Sequence, residues 1–160
     1  MASLISFDEA LRIDPQHRKS LLNSARVLLD TGRPGEAQGR IERAMGLEPL
    51  SAEGLRLLGR ARYEMKQVPE AIDAYQRAIA LDERDVWAMN NLGLIYIQQD
   101  RSEDALPVLA RAVELRRDSP VFQNNLGTAL ERTGHPAAAR KAYEAAVAAE
   151  RPESLPTVHP

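Results

Sequence analysis

A Leu-Gly pair returns through this chain at a fixed interval: Leu58-Gly59, Leu92-Gly93 and Leu126-Gly127 stand 34 residues apart. One step earlier lies Ser24-Ala25, which keeps the small residue. Other rows share the interval. Small residues recur at Ala37, Ala71, Ala105 and Ala139, and again at Ala10, Ala44, Ala78, Ala112 and Ala146. Between them runs a bulky row of Ile41, Tyr75, Leu109 and Tyr143. Rows that share one period define a repeated structural unit, and units of this length bury their apolar faces by stacking on their neighbours.

Each unit holds two helical patterns separated by a break. The breaks read Thr31-Gly32-Arg33-Pro34, Lys66-Gln67-Val68-Pro69, Asp100-Arg101-Ser102 and Thr133-Gly134-His135-Pro136, all suited to turns or helix starts. Ser102, followed by Glu103 and Asp104, is the expected cap of one helix, with acid at its positive end. The spacing predicts helices of about 14 residues, or roughly 21 Å, too short to be stable without neighbours. Gly59, Gly93 and Gly127 fall inside helices, where glycine costs about 1 kcal/mol relative to alanine. Their recurrence points to close helix approach with no room for a Cβ, and the alanine rows leave space for the Tyr and Leu row. Ala, Leu, Glu and Arg are abundant and aromatic residues make up 4%, which favours an all-helical chain. A single long coiled coil is incompatible with Gly and Pro returning every 34 residues.

The run Trp87-Ala88-Met89-Asn90-Asn91-Leu92-Gly93-Leu94-Ile95-Tyr96, continued by Ala105, Leu109 and Ala112, resembles a tetratricopeptide repeat. The run from Ala71 to Asp82 resembles the second helix of another. Phe7-Asp8-Glu9-Ala10-Leu11-Arg12-Ile13-Asp14-Pro15 is similar to a lone second helix with its terminating proline. The resemblance implies an all-α, right-handed solenoid of helix-turn-helix repeats. It divides the chain into a partial repeat over 1–17, four full repeats over 18–153 (18–51, 52–85, 86–119 and 120–153), and a flexible tail over 154–160. Departures from the family pattern exist. Glu83, Arg117 and Arg151 stand where the terminating proline is expected, Arg62 replaces a typical tyrosine, and Pro107 interrupts a helical pattern, forfeiting one backbone hydrogen bond.

Several classes of function find no support. Lys and Arg total 21 against 23 Asp and Glu, a balance that disfavours nucleic-acid binding. With no cysteine there is no disulfide or thiolate metal site. No apolar run is long enough to span a membrane, and the first residues carry no signal-peptide pattern. The compartment stays open, with the cytoplasm as default, and the chain could be an excerpt of a longer protein. His17, His135 and His159 have no partner at metal-ligand spacing, and no strand precedes a phosphate-binding loop. Glu70, Glu103 and Asp104 read as helix-start acids. The expectation is therefore a non-enzymatic chain without cofactor or metal.

In the family the first helix of each pair lines a concave groove, so the resemblance directs attention to those helices. Asn91 and Asn125 precede the Leu-Gly pairs, Asn23 holds the matching place in the first unit, and Asn90 and Asn124 stand one residue earlier. A side-chain amide both donates and accepts, so it can pair with the backbone of an extended peptide of any sequence. The alternative is that these amides cap turns or bond between adjacent helices within the stack. Arg26, Arg56 and Arg60, with Lys19 nearby, give the groove a charged end that suits acidic residues; ordinary solvated arginines are the alternative there. Trp87, Leu94, Ile97 and Thr128 give the other end an apolar character. Asn23, Arg26, Arg56 and Arg60 are only a loose analogue of the family's carboxylate clamp. The leading expectation is a scaffold or adaptor that binds a protein or peptide segment. Two alternatives are end-to-end self-assembly, through exposed Phe7 and Leu11 on the lone leading helix and Ala145, Ala146, Ala148 and Ala149 on the uncapped final helix, and a helical-repeat RNA reader.

Overall fold

A computed structural model describes residues 3–49 and 51–151. The expected tail over 154–160, with His159, lies outside the described residues. Among the described residues the chain forms nine α-helices and no strand. Two compact units divide at Glu83 and Arg84. The first holds α1 (Leu4–Ile13), α2 (Arg18–Asp30), α3 (Pro34–Leu47), α4 (Ala52–Glu64) and α5 (Val68–Leu81). The second holds α6 (Val86–Gln98), α7 (Ser102–Leu115), α8 (Pro120–Arg132) and α9 (Pro136–Glu150).

Local chemistry sets these boundaries with the same period as the packing rows. Each first helix starts after a polar cap: His17, Ser51, Asp85 and Ser119 accept from the backbone N–H of Ser20, Gly54, Ala88 and Phe122. This satisfies one of the orphaned donors of the first turn. His17 is thereby a capping residue, its Nδ1 lying 2.6 Å from the Ser20 hydroxyl. Inside each hairpin the turn passes through the left-handed region at Gly32, Lys66, Asp100 and Gly134, with φ of 75°, 65°, 59° and 82°. Glycine adopts that conformation freely, whereas Lys66 and Asp100 hold it against their Cβ.

The second helices then begin at Arg33, Gln67, Arg101 and His135, none of which caps through its side chain. Proline in the first turn of α3, α5 and α9 takes over, because it lacks an N–H to satisfy. The expectation for Ser102 is corrected here. Arg101 is the N-cap, and Ser102 is the first helical residue, buried with an unpartnered hydroxyl. The preceding turn sets the boundary one residue earlier than a serine cap requires. Glu103 and Asp104 do occupy the first turn, and Asp104 accepts from Arg101 Nε at 2.9 Å. The helix α7 runs on through Pro107.

Packing explains the repeating glycines. A Cβ on Gly59 would lie 2.9 Å from the Tyr75 ring, on Gly93 2.5 Å from Leu109 Cγ, and on Gly127 2.6 Å from the Tyr143 ring. Three of the four hairpins close by placing their bulky residue against their own glycine, so Gly59, Gly93 and Gly127 mark contact between the two helices of one repeat. Around these contacts Ala37, Ala71, Ala105, Ala44, Ala78 and Ala112 are fully buried. In the first unit α1 packs on α2, and Arg40 of α3 pairs with Asp8 of α1 at 2.7 Å. Phe7 and Leu11 are half-buried rather than exposed, while Ile5 and Ile13 stand 80% and 79% exposed. The expected apolar end through Phe7 and Leu11 is thus largely spent inside the unit.

Candidate binding faces on the first helices

In the first unit α2 and α4 lie side by side. Their shared face forms a cleft of about 260 Å³ lined by Lys19, Leu22, Asn23 and Arg26 from α2, and by Glu53 and Leu57 from α4. The arginines expected to receive a ligand are already engaged. Arg26 pairs with Glu53 across the cleft. Arg60 contacts Asp30 at 2.8 Å and Glu64 at 3.1 Å. Burial alone would lower the Arg60 pKa, but the hydrogen bonds to Asp30 and Glu64 outweigh it and hold the guanidinium above its ordinary value. Arg56 is half-buried and also has a partner. Lys19 is exposed and makes no ion pair among the described residues. A carboxylate entering this cleft meets Lys19 first and competes with Glu53 for Arg26.

In the second unit the corresponding face is formed by α6 and α8. Asn125 donates its Nδ2–H to Asn90 Oδ1 at 2.7 Å, tying the two helices together. Asn90 is 3% exposed, so its amide belongs to the interior and leaves Asn125 with a carbonyl oxygen to offer. Asn91 is half-buried and Asn124 exposed on the same pair of helices. Thr128 donates to the Asn124 carbonyl at 3.0 Å, and its hydroxyl oxygen lies 3.4 Å from that of Tyr143. Leu94 is half-buried. Ile97 is buried, and its carbonyl accepts from Arg132 Nη1 at 3.1 Å, so it shapes the face from beneath.

Trp87 is 44% exposed, yet held on two sides. Its ring meets Phe122 edge-on at 5.0 Å and 73°, and the Arg116 guanidinium lies 6.0 Å from its centroid. Val121, next to Phe122 in the sequence of α8, is 49% exposed. Phe122 was not singled out from the sequence, although a signal existed. It occupies the buried row held elsewhere by Ser20, Gly54 and Ala88, so it alone supplies bulk there. Arg132 was also missed, because its acceptor is a backbone carbonyl on another helix. His135 contacts Thr133 Oγ1 at 3.1 Å within the turn. Among the described residues no group of three His, Asp or Glu could hold a metal, and no helix is long and apolar enough to cross a membrane.

These hairpins, with first helices side by side and second helices closing over glycine, define an all-α helical-repeat protein. Family models described as TPR repeat and tetratricopeptide repeat match residues 20–43, 59–100, 86–118 and 124–155. The chain belongs to the tetratricopeptide repeat family. A comparison with curated protein sequences finds no match. Among solved structures it is similar to a crystal structure of MamA, with a TM-score of 0.82 and 27% identity over 92% of this chain and 86% of that one. It shares its fold with YrrB, described as a TPR protein with an unusual peptide-binding site (TM-score 0.74, 20% identity, 92% and 76% covered). The same holds for TTC0263, a thermophilic TPR protein of Thermus thermophilus (TM-score 0.75, 21% identity, 92% and 81% covered). Proteins of this family are in general modules of protein–protein interaction and are typically non-enzymatic.

Proposed function

We propose that this chain is an interaction scaffold that holds an extended segment of a partner protein on its first-helix faces. The observation that carries this reading is Trp87, a large apolar ring left half in solvent but fixed by Phe122, on a helix pair that also leaves Val121, Asn91 and Asn124 at least partly exposed. A pre-positioned aromatic loses little entropy on binding and serves as an anchor for an apolar side chain. Adjacent amides pair with the ligand backbone and carry little sequence information. In the first unit Lys19 and Asn23 offer instead one charge and one amide, which favours an acidic residue in the segment bound there. With chain entropy opposing, the expected dissociation constant is about 1 µM, or roughly -8 kcal/mol.

The test is calorimetric titration of the chain with peptides selected from a random display library. Trp87→Ala and Asn91→Ala are each expected to weaken the selected peptides at least fivefold with the circular dichroism unchanged. Lys19→Glu should weaken only those peptides that carry an acid. Peptides that bind all three variants as they bind wild type would place the interaction away from these faces. Asn125→Ala is unsuitable as a probe, since it strips Asn90 of its buried partner.

A further inference from the structure

The outer face of α9 presents a cleft of about 630 Å³, lined by one helical stripe of Pro136, Arg140, Tyr143, Glu144 and Val147 with Glu131 of α8 at its edge. The same face of α3 is covered by α4, and that of α7 by α8. Val113 and Met45, the counterparts of Val147 one and three intervals back, are accordingly half-buried, whereas Val147 is 53% exposed. The repeat thus builds this face to receive a helix. Tyr143 is fixed within it, its hydroxyl donating to Glu131 at 3.0 Å.

We propose that a second copy of the chain covers this face, α9 lying antiparallel against α9 of that copy about a twofold axis. Charge carries the choice of occupant. Arg140 and Glu144 stand one turn apart on the cleft stripe, and neither is ion-paired among the described residues. By contrast Arg12, Arg77 and Arg111 each pair with an acid one turn away on their own helix. An antiparallel register centred midway between Arg140 and Glu144 sets Arg140 against Glu144 of the second copy, and Glu144 against its Arg140. The same register brings Pro136 against Ala148 at both ends and overlaps almost the full span of Pro136–Glu150. Ala148 is small enough to allow close approach, Tyr143 fills the middle, and Val147 lies beside Ala148 near each end. An isologous contact of this kind closes at two chains. One helix per chain lies at the small end of specific interfaces, so the dimer is weak and concentration-dependent.

Sedimentation equilibrium over a wide concentration range tests this on the full chain. Wild type is expected to show a monomer–dimer equilibrium. Arg140→Glu and Glu144→Arg each put like charges in both contacts, and each should raise the dissociation constant at least tenfold. Both positions are exposed, and unchanged circular dichroism verifies the fold. Mixed in equal amounts, the two variants present complementary stripes and should dimerise at least as tightly as wild type. A monomer at every concentration, association beyond two chains, or a dimer indifferent to both reversals would overturn the proposal.

Discussion

The chain's glycines divide by what a methyl group would touch. A Cβ on Gly93 would lie 2.5 Å from Leu109, whereas one on Gly39 or Gly46, both inside α3, would meet nothing within 4 Å. Helix propensity favours alanine by about 1 kcal/mol at all three, so the clash decides the sign. Gly93→Ala should lose about 1–2 kcal/mol net, as overpacking costs more than propensity returns. Gly39→Ala and Gly46→Ala should each gain up to about 1 kcal/mol, and chemical denaturation measures all three. A stabilised Gly93→Ala would mean that Leu109 moves aside freely. Asn125→Ala presents a different residue-scale problem. It leaves the buried Asn90 amide oxygen without its donor, a loss of about 1–3 kcal/mol, whereas exposed Asn124→Ala should stay within about 0.5 kcal/mol. Equal melting temperatures for the two variants would show that the Asn125–Asn90 bond contributes nothing.

At the scale of the helical hairpin, the periodic rows made the elements legible, because packing residues must repeat wherever the packing repeats. The turns were less so. Their shared left-handed residue falls at Gly32, Lys66, Asp100 and Gly134, and only two of the four are glycine. Lys66 and Asp100 conceal a backbone constraint that side-chain type does not announce, and so Ser102 looks like a cap when the turn has already fixed Arg101 there. The consequence is measurable. Lys66→Gly should stabilise by about 0.5–1 kcal/mol, since relief of the left-handed strain exceeds the added freedom of the unfolded chain. Asp100→Gly should gain less, because aspartate tolerates this region better than lysine. Thermal unfolding ranks the two, and a loss of stability in Lys66→Gly would refute the strain argument. The binding faces were half legible for a related reason. The Asn rows show in the sequence, but whether an amide turns inward depends on a partner about one repeat away, as with Asn125 and Asn90.

For the molecule as a whole, the two first-helix faces carry different chemistry, and the chain contains one reporter that tells them apart. Trp87 is the single tryptophan, and it stands on the α6–α8 face. A ligand that binds only the native state raises stability by RT ln(1 + [L]/Kd), about 2.7 kcal/mol at a hundredfold excess over Kd, whichever face it occupies. Thermal shift therefore reports binding anywhere on the chain, while tryptophan emission reports only what reaches Trp87. A peptide with an apolar anchor should raise Tm and shift Trp87 emission to the blue, as the ring leaves water. A short acidic peptide held by Lys19 and Asn23 should raise Tm without altering the emission, and about 0.5 M salt should abolish that rise by screening the exposed charge. Apolar-anchored peptides that stabilise the chain yet leave the emission unchanged would remove Trp87 from the binding site, and with it the main support for the α6–α8 face.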